Sequence, residues 1–363
     1  MKILNISLEK KLFSENSGSR QRVLDYSKMF ERFDLVVLTG RGFKELEFGN
    51  MSIVPTNSLN RLCYLLGAYS AGRKLIKKYK HDIISAQDPF EIGFMAWLLA
   101  RKNGLKLQIQ IHGDYFSSSC WRKENFANSA RYYLGKCIVK KADTVRVVSE
   151  RIKRSLIKMG LSANKIKVVP VYTPVSGTSL PVKNKANGKF IFLTVGRLVP
   201  VKNISMQIQV INEVVKICPE SELWIAGDGP EMKKLASESR KLGTGDYVKF
   251  LGWKDNLEEF YKKADAFLLT SNYEGWGMAI IEAASFGLPI IMTDVGCAGE
   301  IIKNGESGIV INVGDKKALI DAMTKLIKDD NFRKSIGEYA KKATLSLPNR
   351  EQNLDLFKES FNI

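Results

Sequence analysis

Short runs of β-forming residues alternate with longer amphipathic segments along the whole chain. Such alternation is typical of parallel sheets whose strands are connected by helices. A chain of 363 residues is too long for one efficient hydrophobic core, so we expect two domains. We therefore predict an α/β fold of two doubly wound domains. Folds of this kind bind ligands at the carboxyl ends of their strands, and we place the ligand in the cleft between the domains.

Turn-forming residues between positions 170 and 188 interrupt this pattern and mark a linker. We predict an N-terminal domain over residues 1–170, a linker over 171–188 and a C-terminal domain over 189–345. We expect residues 346–363 to form a helix that packs back on the N-terminal domain. The predicted strands are Lys2–Ser7, Leu35–Leu38, Ile83–Ala86, Leu107–His112 and Thr144–Val148, followed by Phe190–Val195, Leu223–Ala226, Val248–Leu251, Ala266–Thr270 and Ile290–Thr293.

Positive charge is concentrated in the N-terminal half. Residues 1–185 contain 33 Lys/Arg and 14 Asp/Glu, a net charge of +19, whereas the remainder contains 23 and 24. This excess indicates an anionic partner, and the candidates are phospholipid headgroups, a phosphorylated acceptor and nucleic acid. The alternative is a well-solvated basic surface that binds no partner. We expect the basic end of a helix over Leu59–Lys80 to reach a membrane. Its apolar face contains Leu62, Leu65, Leu66 and Tyr69, and its basic end contains Arg73, Lys74, Lys77, Lys78 and Lys80.

Cysteine usage and hydropathy predict the compartment. The five cysteines are odd in number and are never spaced as a zinc or redox pair, which indicates reduced thiols. They are Cys63, Cys120, Cys137, Cys218 and Cys297. The first strand lacks the apolar core of a signal peptide, and no apolar run approaches the length of a membrane span. We therefore expect a cytoplasmic protein that is soluble or peripheral at the inner face of the membrane.

A glycine-rich turn between a predicted strand and a helix is the most informative segment. Gly275 and Gly277 allow the backbone to approach a ligand, and the first N–H groups of the following helix form an anion site that a phosphate fits. Glu274 precedes this helix, and Glu282 lies about a turn and a half inside it. With a diphosphate at the helix tip, one carboxylate is suited to the hydroxyls of a transferred sugar and the other to those of a ribose.

Two cations follow the strand Phe190–Val195. Arg197 and Lys202 lie in the loop at its carboxyl end, where they are suited to neutralise a leaving diphosphate. The chain contains no Asp-x-Asp motif, and His112-Gly113-Asp114 alone is too little for a metal site. We therefore expect no metal ion and no cofactor. A dinucleotide fingerprint, a Walker lysine motif and a serine nucleophile elbow are also absent.

These residues resemble those of glycosyltransferase family 4, whose members are retaining enzymes with the GT-B fold of two Rossmann-like domains. The resemblance rests on Glu274 and Glu282 with seven residues between them, on Gly196-Arg197 followed by Lys202-Asn203, and on Ala226-Gly227-Asp228-Gly229-Pro230. Leu251-Gly252-Trp253 and Gly287-Leu288-Pro289 support it. The similarity is dense over residues 190–330 and weaker over 1–170.

The resemblance implies a role for each matching position. Arg197 and Lys202 would bind the diphosphate, Glu274 the donor sugar and Glu282 the ribose. Backbone N–H groups from Gly275 through Trp276 and Gly277 to Met278 would meet phosphate and sugar hydroxyls, and Trp253 lies where the family contacts the base. His112 matches the active-site histidine beside the donor sugar, so His112, Glu274, Arg197 and Lys202 are the expected catalytic residues. The N-terminal domain would bind the acceptor and the C-terminal domain the sugar nucleotide.

Three segments depart from the family pattern. The usual glycine pair after the first strand is Ser17-Gly18-Ser19-Arg20, which leaves Gly18 to approach the donor or acceptor. The usual Pro-Asn-Gly segment is Pro170-Val171-Tyr172-Thr173-Pro174, and Trp276 replaces a phenylalanine. These departures affect the acceptor and the donor geometry more than the reaction class.

We therefore predict a metal-independent, retaining hexosyltransferase that moves a sugar from a nucleoside diphosphate sugar to a glycan or lipid-linked acceptor in cell-surface polysaccharide or glycolipid synthesis. The alternative is a sugar-nucleotide epimerase of the same fold, which needs more acid/base groups than His81 and His112 supply. A nucleic-acid-binding protein is disfavoured because the basic residues are spread over several helices and no recognised nucleic-acid module is present.

Overall fold

The structure is a computed structural model that describes residues 1–15, 17–174 and 188–362. The chain divides into two compact units. Unit 1 comprises Met1–Pro170 and Asn349–Ile363, and unit 2 comprises Val171–Pro348. Most of the predicted linker, residues 175–187, lies outside the described residues. Each unit contains a mainly parallel sheet with helices connecting its strands, so the predicted α/β class is confirmed.

Unit 1 is built on an eight-stranded sheet with the order β3-β4-β2-β1-β5-β6-β7-β8. All neighbouring strands are parallel except β3 and β4. The central strands are buried at almost every position because helices cover both faces of such a sheet, and β6 and β7 bury the polar residues Gln108, Gln110 and Arg146. The strands are β1 (Lys2–Ser7), β2 (Arg32–Val37), β3 (Leu46–Phe48), β4 (Met51–Pro55), β5 (Ile83–Ala86), β6 (Lys106–Ile111), β7 (Thr144–Val147) and β8 (Ile166–Val168).

Polar side chains begin most helices of unit 1. Ser17, Asn125 and Ser149 each accept a hydrogen bond from a first-turn N–H group, which satisfies a donor that the helix leaves unpaired. The helices are α1 (Gly18–Ser27), α2 (Tyr64–Tyr79), α3 (Glu91–Asn103), α4 (Ser119–Lys123), α5 (Phe126–Lys141) and α6 (Glu150–Lys158), with short 3-10 helices at Lys10–Phe13, Arg61–Cys63 and Ala163–Lys165. Helix α3 packs between α2 and α5, so these three form one layer.

The helix predicted over Leu59–Lys80 differs from expectation in its buried face. It consists of the 3-10 helix Arg61–Cys63 followed by α2, and Leu62 and Leu66 of the expected apolar face are 89% and 71% exposed. Its buried residues are Ala68, Gly72, Leu75 and Ile76. Small residues face inward because α2 packs closely: a Cβ atom at Gly72 would lie 2.8 Å from a methyl group of Leu99 on α3.

Unit 2 is built on a six-stranded parallel sheet with the order β11-β10-β9-β12-β13-β14. Its core contains Phe192, Leu223 and Leu268 from three neighbouring strands, together with apolar residues of the helices above them. The strands are β9 (Phe190–Val195), β10 (Ser221–Ala226), β11 (Val248–Gly252), β12 (Ala266–Leu269), β13 (Ile290–Thr293) and β14 (Ile309–Ile311). The helices are α7 (Ile204–Ile217), α8 (Met232–Lys241), α9 (Glu258–Lys263), α10 (Met278–Ser285), α11 (Lys316–Lys328) and α12 (Asp330–Thr344), with a 3-10 helix at Pro200–Lys202.

The C-terminal helix α13 (Arg350–Glu359) belongs to unit 1. A capping box at Asn349 and Gln352 begins it. The Phe357 ring stacks on Tyr26 of α1, with 3.7 Å between the ring centroids, and Phe357 is 1% exposed. Chain residues from both ends of the sequence therefore share one hydrophobic core.

Ten of the fourteen strands in the described part of the chain were predicted, four with the observed bounds. Strand β2 begins at Arg32, three residues before the predicted start, and β6 ends at Ile111, one residue before His112. The strands β3, β4, β8 and β14 were not predicted. Strands β3, β8 and β14 have three residues each, which is too short for a periodic pattern to identify, and β4 ends at Pro55, a residue type that argues against a strand.

Candidate functional site

The loop after β9 lies directly against the loop after β10. Backbone hydrogen bonds connect the Gly196 N–H group to the Ala226 carbonyl at 3.0 Å and the Leu198 N–H group to the Asp228 carbonyl at 2.9 Å. A Cβ atom at Gly227, whose φ is +143°, would lie 1.9 Å from the Gly196 carbonyl oxygen. Only glycine fits there, so the Gly227-Asp228-Gly229 segment supports the loop that carries Arg197. The Arg197 side chain is exposed.

Lys202 and Glu274 form an ion pair within unit 2. The Ser271 hydroxyl donates a 2.8 Å hydrogen bond to the same carboxylate oxygen. The loop that holds Lys202 is fastened to the end of β12 by the Thr270 hydroxyl, which donates to the carbonyls of Lys202 and Asn203 at 3.2 and 3.0 Å. Both charged side chains are mostly shielded from water, with 24% and 15% of their side-chain surfaces exposed. The structure therefore brings together two of the predicted catalytic residues.

Glu282 is held by a tyrosine that the sequence did not point to. Its Oε2 atom accepts a 2.8 Å hydrogen bond from the hydroxyl of Tyr261, which lies on α9 and is 2% exposed. Burial raises the pKa of Glu282, and the Tyr261 hydrogen bond opposes that rise. Burial and the neighbouring carboxylate also raise the pKa of Tyr261. Tyr261 is thus a neutral donor that fixes one oxygen of Glu282.

The glycine-rich turn enters α10 in a left-handed conformation. Gly277 has a φ of +98° and precedes the first helical residue, Met278, which is partly exposed. The Trp276 side chain is 5% exposed, and its carbonyl accepts a 2.9 Å hydrogen bond from the Cys297 N–H group. Since the Trp276 indole belongs to the core, only backbone groups of Gly275, Trp276 and Gly277 are available for the predicted contacts with phosphate.

Trp253 and Gly18 lie at exposed positions. The Trp253 ring follows β11, is 63% exposed, and donates a 3.0 Å hydrogen bond from its indole nitrogen to Asp255. Gly18 is the first residue of α1, and a Cβ atom built there would have no neighbour within 4 Å. Nothing steric in the protein itself therefore requires glycine at position 18.

His112 lies in unit 1, immediately after β6, with its side chain exposed. Although His112 keeps solvent-exposed surface, the protein packed around it desolvates the imidazole and lowers its pKa, and the positive charges of Arg146 and Arg22 lower it further. The imidazole is therefore neutral at pH 7. The other histidine, His81, is buried and hydrogen-bonded to Asp34 at 2.9 Å, so it is part of the core.

Sequence reasoning missed Tyr261, Thr270 and Ser271. Ser271 precedes Glu274 by three residues, a spacing at which a hydroxyl commonly reaches a nearby side chain, so a local signal was present. Tyr261 lies 21 residues before Glu282 on another helix, and no sequence spacing points to that contact.

Within residues 1–15, 17–174 and 188–362 no group of three or more His, Cys, Asp or Glu side chains is arranged to hold a metal ion. In the same ranges no helix combines the length and apolarity that crossing a bilayer requires.

Two family models match nearly adjoining parts of the chain. Residues 18–171 match the model described as Glycosyltransferase Family 4, and residues 177–343 match the model described as Glycosyl transferases group 1. The predicted resemblance is thereby confirmed, and it extends over both units.

Curated relatives and solved structures agree with these matches. The chain is 26% identical to an uncharacterised glycosyltransferase of Methanocaldococcus jannaschii over 89% of this chain and 88% of that protein. It is 27% identical to the UDP-Gal:alpha-D-GlcNAc-diphosphoundecaprenol alpha-1,3-galactosyltransferase of Escherichia coli over 70% of this chain and 69% of that protein. The lipopolysaccharide outer core galactosyltransferase WaaB, in its apo form, superposes with a TM-score of 0.74 at 21% identity, covering 99% of each chain. This likeness confirms the predicted GT-B fold.

Proposed function

The chain belongs to glycosyltransferase family 4 of the group 1 glycosyltransferases, and we propose that it is a retaining enzyme that transfers a hexose from a nucleoside diphosphate sugar to a lipid-linked glycan. The setting we propose is polysaccharide or glycolipid synthesis at the cytoplasmic face of the membrane. The E. coli relative acts, by its name, on a UDP-sugar and a diphosphoundecaprenol-linked sugar, which supports this choice of donor and acceptor.

The observation that carries the proposal is the arrangement of charges after β9 and β12. The Arg197 guanidinium is exposed. Lys202 is held by its ion pair with Glu274 near the same carboxyl ends of the strands. Two cations beside a departing diphosphate stabilise the charge that develops on it, and the Lys202 ammonium is held in advance by its ion pair. We propose that they do so without a metal ion.

Lys202 and Glu274 neutralise each other in the free protein. When a diphosphate binds, we propose that Lys202 turns part of its charge to phosphate and that Glu274 accepts hydrogen bonds from the donor sugar. Ser271 keeps the carboxylate in place during this exchange because its hydrogen bond does not depend on Lys202. The neutral His112 of unit 1 is suited to accept a hydrogen bond from a sugar hydroxyl.

Glu282 is the proposed ribose ligand. A carboxylate with one oxygen fixed by Tyr261 has its other oxygen oriented in advance for hydroxyl donors. The epimerase alternative is disfavoured because the buried contact of His81 with Asp34 leaves His112 as the one exposed histidine of the chain.

Incubation with a panel of sugar nucleotides, with detection of released nucleoside diphosphate, tests the proposed reaction. We expect release with one or a few donors, and release by Arg197→Ala slowed by a factor on the order of 10²–10³. Arg240→Ala is the matched control, since Arg240 is also exposed in unit 2. Wild-type turnover in Arg197→Ala with a confirmed donor would show that the diphosphate site is elsewhere.

Substitution of the two carboxylates separates their roles. We expect Glu282→Ala to weaken binding of the free nucleoside diphosphate, because the ribose loses its ligand. Glu274→Ala should mainly lower turnover, because the reacting sugar loses its ligand. Equal nucleotide affinity of the wild type and Glu282→Ala would contradict the ribose assignment.

A further inference from the structure

One exposed stripe runs along the outer surface of the 3-10 helix Arg61–Cys63 and of α2, and it changes from apolar to basic along its length. Residues at positions 62, 66, 70, 73 and 77 follow helical spacing and are all exposed. Leu62 and Leu66 begin the stripe, and Arg73 and Lys77 end it. Leucines with 89% and 71% of their surface exposed are unfavourable in water, so this face is suited to a partner with apolar character.

Helix α5 repeats this arrangement. Positions 126, 130, 133, 137 and 140 are all exposed at the same helical spacing. Phe126 is 90% exposed and Tyr133 66% exposed, and the stripe ends at Lys140. The exposed stripe of α5 therefore begins with aromatic residues where that of α2 begins with leucines, and both stripes end with cations.

Helix α3 lies between them and has the same polarity. Phe94 is exposed in its first turn and contacts Trp97, with 5.8 Å between the ring centroids. The Arg101 guanidinium and the Lys141 ammonium of α5 lie over the Trp97 ring, at 5.7 and 4.9 Å from its centroid. The three helices thus form one continuous surface with apolar residues near their first turns and cations near their last.

The surface carries almost no negative charge. Residues 55–81, which include α2, contain six Lys/Arg and no Asp/Glu, and residues 125–142, which include α5, contain four and none. Glu91 is the single acidic residue of α3, and it is paired with Arg131 at 2.7 Å. Ordinary solvated helices mix both signs, so the absence of carboxylates from α2 and α5 needs a reason.

We propose that the outer surface of α2, α3 and α5 docks on an anionic lipid bilayer. Leu62, Leu66 and Phe126 would enter the interface between headgroups and acyl chains, while Arg73, Lys77 and Lys140 contact lipid phosphates. Trp97 with its flanking cations is suited to the headgroup level, where amphipathic rings are stable. Charge complementarity selects an anionic surface, and the exposed apolar side chains select one with an accessible hydrocarbon layer.

Sedimentation with vesicles tests this surface in the full-length chain. Vesicles of phosphatidylcholine alone are compared with vesicles that also contain phosphatidylglycerol, each at low and at physiological salt. We expect the wild type to sediment mainly with the anionic vesicles and less at higher salt, since such attraction is screened within about 8 Å at physiological ionic strength.

Two variants separate insertion from charge attraction. We expect Leu66→Ser to lower the partition constant about tenfold, as for one leucine side chain kept out of an apolar phase. We expect Lys77→Gln to lower it about fivefold at low salt. The controls are Leu345→Ser and Lys241→Gln in unit 2, where the leucine is 70% exposed and the lysine is also exposed. These controls should bind vesicles like the wild type.

Three results would overturn the proposal: no sedimentation of the wild type with anionic vesicles, wild-type partition of Leu66→Ser, or equal losses in the unit 2 controls. The substituted side chains are exposed, so circular dichroism and the melting temperature should not change. This proposal rests on the proposed function in one respect, namely that docking would bring the enzyme to a lipid-linked acceptor. Because nucleotide release is measured separately without vesicles, failure of docking and failure of the proposed transferase reaction are distinguishable.

Discussion

Replacing Tyr261 with phenylalanine removes one hydrogen bond from Glu282 and keeps the aromatic packing. The Tyr261 ring stacks on Phe286 with 5.2 Å between centroids, and a phenylalanine ring retains that contact. The change therefore acts on the carboxylate and not on the core. A hydrogen bond to a charged group contributes about 1.5 to 3 kcal/mol. If Glu282 binds ribose, the lower value corresponds to about tenfold weaker binding of the nucleoside diphosphate.

The pH dependence of binding should also change. If Glu282 binds ribose as proposed, binding needs the ionised carboxylate, and affinity falls as the pH falls through the pKa of Glu282. Burial raises the pKa of Glu282 and the Tyr261 hydrogen bond lowers it. Since Tyr261→Phe removes the lowering contribution, the loss of affinity should begin at a higher pH than in the wild type. A change in packing alone would not shift this profile.

Calorimetric titration with the nucleoside diphosphate, from acidic to neutral pH, measures both effects. Tyr339→Phe is the matched control because Tyr339 lies on α12 of the same unit and is 48% exposed. Wild-type affinity and an unchanged pH profile in Tyr261→Phe would refute the role of Tyr261 as the residue that positions Glu282. A tenfold loss at every pH with no shift of the profile would refute the ionisation reasoning.

Three further outcomes are expected. Gly227→Ala should destabilise unit 2 by at least about 1 to 3 kcal/mol, because its Cβ atom would overlap the Gly196 carbonyl. Urea unfolding measures this loss, and Gly245→Ala is the control because a Cβ atom at position 245 has no neighbour within 4 Å. Phe357→Ala should cost about 3 to 5 kcal/mol through loss of its buried stack on Tyr26, and an unchanged unfolding midpoint would mean that α13 is not needed by the unit 1 core. Lys202→Met should slow transfer by a factor on the order of 10²–10³, and wild-type turnover with a confirmed donor would exclude Lys202 from the diphosphate site.

Much of the candidate site was predictable because it follows from local sequence. Glycines before α10 and a cation directly after β9 occur at fixed offsets from strands that hydropathy identifies, so Gly277 and Arg197 could be placed without tertiary information. The role of the Gly227-Asp228-Gly229 segment could not be derived in this way. Its glycines are required by the carbonyls of Gly196 and Leu198, which approach from another loop.

The apolar face of α2 shows where periodicity fails. Leu62 and Leu66 repeat at helical spacing, yet they face solvent, while Ala68 and Gly72 pack inward. Periodicity identifies which residues share a face, but the distance to the neighbouring helix decides which face is buried. With a Cβ atom at Gly72 already within 2.8 Å of Leu99, larger side chains have no room there.

The sequence by itself determined the α/β class, most of the strands, the family and the residue types of the candidate site, because each depends on hydrophobic patterning or on spacing within a few residues. Tertiary structure decided which of these groups meet. It paired Lys202 with Glu274, placed Tyr261 on Glu282 and left Leu62 and Leu66 in solvent. Such contacts connect residues 21 to 72 positions apart, and sheet order and helix packing, which local propensities do not specify, set those distances.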